Sequence, residues 1–368
     1  MRKEIESTLE RAKAAFVAFE KLGIRKRVAL MRIIADEIEA LGPELITTAQ
    51  QESNLPEARL IGEKGRTIFQ WRSYADALER GSFLDASIDT AIPDRTPPKP
   101  DLRKTNVGLG PVTVFGASNF PFAFSTAGGD TAGAIAAGCP VIVKAHPGHP
   151  KTSQIMADAI SRGVEKSGFP VGTFAHLFCD TYEDAQLLVS HPIVKAVGFT
   201  GSYQGGMALV EVANKRPDPI PVFAEMGSIN PVFLLPSKLK MAAAELAKQY
   251  VGSLTLGVGQ FCTNPGLVIG IDGEDLDTFI ATLRTEIEKT VPAKMLHAGI
   301  AKAYGQNKQM VTSFEEVDVL ATSGIDADEY QGAPTVAKVN GVDFLLNDSL
   351  QTEVFGPFAL IVKCASGA

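Results

Sequence analysis

Cysteine is scarce and scattered in this 368-residue chain: Cys139, Cys179, Cys262 and Cys364 are the full complement, with no C-x-x-C spacing among them. A disulfide scaffold is thereby excluded, as is a structural zinc site, which needs its thiolates and imidazoles paired. Of the five histidines, His146 and His149 form one near pair in "HPGH". Prolines surround it and no thiolate or carboxylate is adjacent, so it reads as two loop histidines, and no metal is expected. Positive charge is also short. With 35 Lys and Arg against 42 Asp and Glu, the net charge of −7 leaves no electrostatic footprint for nucleic acid or an anionic membrane. No apolar run is long enough to span a bilayer, and the basic start "MRKEIESTLERAK" has no hydrophobic signal core behind it. The expectation is a cytoplasmic protein with neither nucleic-acid nor membrane partners.

What the chain does have is the makeup of a globular protein, 45% hydrophobic and 21% charged, over a length that suggests two domains. Residues 3–52 read as helices: Leu9, Phe16 and Phe19, then Leu30, Ile34, Ile38 and Leu41, recur at three- and four-residue steps, with breaks at Gly23 and at the "GP" of 42–43. Helix continues to about residue 80, and the proline-dense stretch 91–102 reads as an extended excursion from the main body. From residue 111 short β-branched runs (112–116, 140–145, 174–178, 196–200 and 221–225) alternate with helical segments. That rhythm implies a parallel sheet with right-handed crossovers and helices on both faces. From about residue 230 it restarts with "NPVFLL", a helix through "KMAAAELAKQYVGSLTLG", "LVIGI", a helix at 275–290 and "FALIVKC", which suggests a second α/β domain. A strand-like run so close to the last residue suggests missing sequence.

Ligands of parallel sheets gather beyond the carboxyl ends of the strands, and several residues there have chemical potential. "GSYQGG" has the P-loop's gap between Gly201 and Gly206, but Met207 stands where a phosphate-gripping lysine belongs, so phosphoryl transfer fails at its key residue. What remains is a glycine-rich strand-to-helix turn whose amides can meet a nucleotide phosphate, or simply a tight turn. Lys144 ends a strand that reads as buried; it either reaches solvent or binds an adenine ribose. No carboxylate follows to select NAD, and Lys144, His146, His149 and Lys151 make a cationic loop that favours the 2′-phosphate of NADP. Glu225, followed by Met226, emerges from another apolar run; partial desolvation would raise its pKa toward general-base use, whereas an ion-paired sheet-edge glutamate is the plain alternative. Asn119 in "SNFP" can donate to an oxyanion or cap a turn. Cys262 in "GQFCTNPG" has no Lys, Arg or His beside it, so its activation would come from the fold or a cofactor. Cys139 reads as core, and Cys179 and Cys364 as packed.

Taken together, "VFGASNFPFAFS", "AAGCPVIVKAHPGHP", "GFTGSYQGG", "FAEMGSINP", "GQFCTNPG" and "EVFGPF" closely resemble the aldehyde dehydrogenase superfamily, in order and at compatible spacing. The resemblance implies an α/β fold: a parallel-sheet, Rossmann-like NAD(P)-binding domain at 1–90 and 109–227, a bridging arm for homo-oligomerisation at 91–108, and a catalytic α/β domain at 228–368. It implies that Cys262 attacks the aldehyde, that Asn119 and the Cys262 amide hold the oxyanion, and that Glu225 activates the hydrolytic water. Lys144 and His146 would bind the adenine ribose or its phosphate, the turn Gly201, Ser202, Gly206 and then Met226 would flank the cofactor, and Glu353 and Phe355 would meet its nicotinamide end.

Within the family, "ESNLPEARLIGEKGRT", "KAHPGHP" and "GQFCTNPG" resemble NADP-using α-ketoglutaric semialdehyde dehydrogenases. A dicarbonyl acid needs a cation, for which Arg59, Arg66 and Arg72 are candidates beside Phe122, although all three arginines also read as solvated. Luminous-bacterial fatty aldehyde dehydrogenases share similar motifs, and Phe69, Trp71, Phe122 and Phe124 would then line an apolar channel. Two further alternatives are an inactive nucleotide-binding protein of the same fold and a thiol-dependent reductase of acyl phosphates, which has less use for Glu225. Ser228 and Ile229 stand where many members have a lysine followed by a small polar residue, a branch trait. The family also extends beyond both ends of this chain, so truncation is expected.

Overall fold

The N-terminal apolar stripe lies on α1 (Arg2–Glu39), which buries Leu9, Phe19, Leu30, Ile34 and Ile38 and breaks at Gly23, where φ is 74°. A computed structural model describes residues 1–179 and 181–367, and by internal contacts the chain divides into two units: Met1–Glu52 with Pro56–Met226, and Ser53–Leu55 with Gly227–Ala368.

In the first unit α1 is followed by α2 (Pro43–Ser53) and α3 (Glu57–Arg80), the latter closed by Gly81 in the left-handed conformation. Arg32 bridges Asp76 and Glu79, and Arg72 bridges Asp36 and Glu39, on the exposed side where α1 and α3 meet. Solvent and salt screen such exposed pairs, so they add little to stability. Arg72 is thus engaged between α1 and α3. The excursion is a small antiparallel pair, β1 (Ser87–Asp89) with β2 (Leu102–Lys104), exposed along its length.

The alternating rhythm becomes β3 (Val112–Phe115), α4 (Gly129–Ala136), β4 (Val141–Lys144), α5 (Pro150–Lys166), β5 (Phe174–Leu177), α6 (Tyr182–Ser190), β6 (Ala196–Gly201), α7 (Tyr203–Asn214) and β7 (Val222–Met226). The five longer strands form one parallel sheet in the order β5-β4-β3-β6-β7. The chain moves outward one way through β4 and β5, then returns to lay β6 on the other side of β3. The switch between β3 and β6 opens a crevice at their carboxyl ends, because the two flanking connections leave in opposite directions.

The second unit builds its own sheet from β8 (Pro231–Leu234), β9 (Leu267–Ile271), β11 (Asp318–Thr322), β13 (Thr335–Asn340) and β14 (Phe358–Cys364), in the order β11-β13-β14-β9-β8. All neighbours are parallel except β11 with β13. α8 (Pro236–Thr255) and α9 (Glu274–Lys289) cover one face with Tyr250, Leu254, Phe279 and Leu283 packed on Val268 and Ile361. The other face packs Met295, Tyr304 and Val311 on Leu360 and Val362, with Tyr304 and Val311 supplied by α10 (Ala298–Thr312). A short bridge of β10 (Ala293–Lys294) with β12 (Gln331–Gly332), and α11 (Gly341–Leu346), complete the unit. The elements between residues 290 and 350 carry no strong periodic signal: β10 and β12 are two residues each, and β11 is a half-exposed edge strand. Both units are α/β with mainly parallel sheets, as expected. Among the described residues no helix is long and apolar enough to cross a membrane.

Candidate active site

At the carboxyl edge of the first sheet the register aligns Phe115 with Lys144 and Phe199, and carries Thr200 to Glu225 and Gly201 to Met226. Lys144, the loop bearing Asn119, the 201–206 turn and Glu225 therefore share one sheet edge. Lys144 is half-buried, and burial holds its ammonium below the usual lysine range, with the nearby sulfur of Cys179 working against that shift. A cation in that condition gains from an anionic ligand, which fits a phosphate. His146 accepts the Gly148 amide on Nδ1 (3.0 Å), and its ring stacks on fully buried His149 at 5.2 Å.

Gly201 ends β6, and Ser202 caps α7 by accepting the Gly205 amide at 3.2 Å. A side chain at Gly206 would lie 2.2 Å from the Met226 sulfur, so glycine is what lets α7 approach β7 this closely. The turn opens α7 with three glycines, a helix start whose amides suit a nucleotide phosphate. Glu225 corrects one expectation. β7 is an edge strand whose residues alternate half-buried and exposed, and Glu225 lies on the exposed side rather than emerging from a buried strand. Its neighbour Asp130, in the first turn of α4, was not foreseen. Although its surface is open, it lies deep among protein atoms, and burial, then the charge of Glu225, pushes its carboxyl upward.

The Asn119 loop is held from α3, one helical turn of which supplies both partners. Arg59 Nη2 donates to the Asn119 carbonyl at 2.5 Å with its guanidinium 4.8 Å from the Phe120 ring. Glu63 is 5% exposed, and its Oε1 accepts the amides of Phe122 (2.8 Å) and Ala123 (3.0 Å). Burial raises the Glu63 carboxyl, and the two amides with Arg59 and Arg66 oppose that. Asn119 itself is 9% exposed. Arg59 is thus engaged in shaping this loop. Phe122 and Trp71 are completely buried, with the Trp71 indole donating to Ala127 O at 2.8 Å, so neither ring lines an open channel. Arg66 is exposed, its guanidinium over Phe120 at 5.8 Å and Phe124 at 4.8 Å.

In the second unit a left-handed turn at Gly257, Val258 and Gly259 precedes Cys262. Val258 at φ 59° is a strained position for a β-branched residue. A side chain on Gly259 would lie 2.4 Å from the Gly356 backbone, so two glycines allow main chain to touch main chain between the cysteine loop and the 353–357 segment. Buried Gln260 accepts the Leu296 amide at 2.9 Å and donates to Gly257 O at 3.1 Å. On this braced loop Cys262 is exposed, while Cys139 is buried and Cys179 and Cys364 are partly so. Ser228 and Asn230 both donate to the Cys262 carbonyl, and the Ser228 amide donates to Glu353 Oε1 at 3.2 Å. Burial raises the Glu353 carboxyl, the Ser228 amide opposing it. Glu353, Phe355, Phe261 and Ser228 line one small cleft. The bonds of Asn230 and Ser228 to the cysteine loop escaped sequence reasoning because their partners are backbone atoms, although the "N-P" after "GSI" is a turn signal in its own right.

Comparison with known proteins gives this chain its relatives. The chain is 50% identical over 362 residues to alpha-ketoglutaric semialdehyde dehydrogenase 2 of Azospirillum brasilense, covering 98% of this chain and 69% of that one. It is 43% identical over 361 residues to the alpha-ketoglutaric semialdehyde dehydrogenase of Acinetobacter baylyi, covering 98% and 68%. Succinic semialdehyde dehydrogenase from Streptococcus pyogenes, solved with NADP+ as the cofactor, shares the fold at a TM-score of 0.78 and 19% identity, over 100% of this chain and 78% of that one. The description "Aldehyde dehydrogenase family" matches residues 1–368 from end to end, and this chain, with its braced cysteine loop and its parallel-sheet edge, belongs to that family.

Proposed function

We propose that the protein oxidises α-ketoglutaric semialdehyde to 2-oxoglutarate with NADP. The observation that carries this reading is the end-to-end similarity, at 50% and 43% identity, to two enzymes named for that aldehyde. Cys262 is the nucleophile: its thiolate adds to the aldehyde carbon, forming the S–C bond as the carbonyl π pair moves to oxygen. The Asn119 amide and the Cys262 N–H hold that oxyanion. A nicotinamide cofactor, when bound, would supply the two-electron acceptor that oxidation of the Cys262 thiohemiacetal to the thioester requires. Glu225 takes a proton from water, the hydroxide adds to the thioester, and the Cys262 thiolate leaves with the acid released. An exposed carboxylate is open to water, which suits that step.

Lys144, His146, Gly201, Ser202, Gly206 and Met226 hold the adenosine and pyrophosphate end of the cofactor. Glu353 and Phe355 hold the nicotinamide end. Lys144 supports NADP over NAD, since a desolvated ammonium gains more from a phosphate dianion than from a hydroxyl. With Arg59 and Arg72 engaged, Arg66 is the cation for the substrate carboxylate. The first unit binds cofactor, the second carries the nucleophile, and the 91–108 arm joins subunits of a homo-oligomer.

A panel of aldehydes differing in length and charge, assayed with both cofactors by absorbance of the reduced form, tests the assignment. The semialdehyde with NADP is expected to give the highest kcat/KM; a preference for long uncharged aldehydes would overturn the substrate. Cys262→Ser should lower turnover by roughly a thousandfold or more. Glu225→Gln should accumulate an acyl adduct on Cys262 visible by intact mass, and normal turnover in either variant would remove its residue from the mechanism.

A further inference from the structure

Asn230 stands in a left-handed conformation, φ 49°, which few residues other than glycine adopt and asparagine tolerates best. It is followed by Pro231, the first residue of β8. Its amide nitrogen donates to the Cys262 carbonyl at 2.6 Å and to the Asn264 carbonyl at 3.1 Å, which uses both hydrogens of the side chain. The Ser228 hydroxyl donates to the same Cys262 carbonyl. Two donors on one carbonyl occupy both of its lone pairs. The turn is also held by the Asn264 amide to Phe261 O at 3.0 Å, by the Gly266 amide to Ile229 O at 3.1 Å and Asn264 O at 2.9 Å, and by Asn264 Nδ2 to Gly356 O at 3.1 Å, while Asn230 Nδ2 also lies 3.4 Å from the Ser228 hydroxyl.

Burial does not demand this. Cys262 is exposed, and water would satisfy its carbonyl at little cost. What two protein donors add is a fixed orientation of the peptide that follows the cysteine, leaving rotation about Cα–Cβ as the main freedom of the sulfur. Donors there also place the positive ends of N–H and O–H bonds beside the residue that must hold a negative sulfur.

We propose that Asn230, seconded by Ser228, is a positioning residue for the Cys262 thiolate, acting through the cysteine's own carbonyl. This rests on Cys262 being the nucleophile. Because the Ser228 amide also binds Glu353, the carboxylate assigned to the nicotinamide ribose and the nucleophile loop meet on one residue.

The test is the pH dependence of Cys262 alkylation by iodoacetamide, followed peptide by peptide in the full chain without cofactor. Asn230→Gly keeps the left-handed backbone and removes the amide; Asn230→Asp keeps the shape and sets a carboxylate against the carbonyls. The midpoint for Cys262 should rise from wild type to Gly to Asp, by about one unit or more in the last. A loop staple alone would lower the melting temperature without that ordering. In the aldehyde assay kcat should fall about tenfold with aldehyde KM within about twofold. Unchanged midpoints in both folded variants overturn the proposal. Should neither fold, Ser228→Ala, which removes one hydroxyl only, must shift the midpoint in the same direction, and no shift there overturns it. Cys262→Ser separates the two claims: normal turnover in that variant ends the nucleophile assignment whatever the alkylation data show.

Discussion

Glu63 is a charged residue on the same face of α3 as Leu60, Thr67 and Trp71, and it is buried against the backbone of the Asn119 loop. Its worth lies in what it satisfies: two amides that would otherwise be buried without acceptors. Glu63→Ala is expected to cost about 2–4 kcal/mol in a denaturant titration, since both amides lose their partner. Glu63→Gln keeps an acceptor oxygen and should cost far less. The sign of the pH dependence follows from burial, which raises the folded carboxyl above its ordinary 4.5. The folded state then retains a proton that the unfolded state has released. Stability of the wild type, relative to Glu63→Gln, should therefore be greatest at low pH and decline as pH rises from about 4.5 through the raised value. A flat difference would remove the carboxylate from the account. Lys144 stands out in the sequence because it ends a strand, and Cys262 and Glu353 because they lie in short motifs; the bonds that Glu63 and Arg59 make to the Asn119 loop do not, because their partners lie about 60 positions away.

Elements meet where side chains are absent or shared. Gly259 sits at φ 65° with the Gly356 backbone where a side chain would be. Gly259→Ala must both strain its own backbone and part the cysteine loop from the 353–357 segment, so a drop of several °C in melting temperature is expected together with loss of turnover. A variant of wild-type stability and activity would contradict the close approach. On the first sheet, α5 and β5 share a polar chain: Thr126 Oγ1 to buried Ser153 Oγ at 2.5 Å, and Ser153 Oγ to His176 Nε2 at 2.7 Å. Burial holds His176 down to about 4, below its ordinary 6.5. Between those values the unfolded chain takes a proton that the folded imidazole refuses, so stability is lost as pH falls from 6.5 towards 4. His176→Gln, which does not titrate, should show a smaller fall over that window in thermal unfolding scans. The strand rhythm of 112–226 was plain from β-branched runs, whereas the exposed edge position of β7, and of Glu225 with it, depends on sheet order, which strand composition does not encode.

For the whole molecule, two sheets with mainly parallel strands mean many pairings between residues distant in sequence, which predicts slow folding with populated intermediates. The β1–β2 arm leaves Ile88 69% and Leu102 52% exposed on an unpaired two-stranded edge. Such an edge is either covered by another chain or prone to aggregate. If it joins subunits, Ile88→Asp with Leu102→Asp should reduce the sedimentation coefficient while leaving far-UV circular dichroism unchanged; an unchanged coefficient would exclude the arm from assembly.

By itself the sequence determined the class of fold, the alternation of strands and helices, and the positions proposed to bear a nucleophile and cofactor ligands. These are local properties: periodicity, turn chemistry and short motifs of fixed spacing. Only the tertiary structure decided which partners the arginines of α3 take, that Glu63 and Arg59 shape the Asn119 loop, and that Asn230 and Ser228 grip the cysteine carbonyl. Those outcomes depend on backbone hydrogen bonds between distant segments, and every residue carries the same amide and carbonyl, so no side-chain pattern announces which of them will meet.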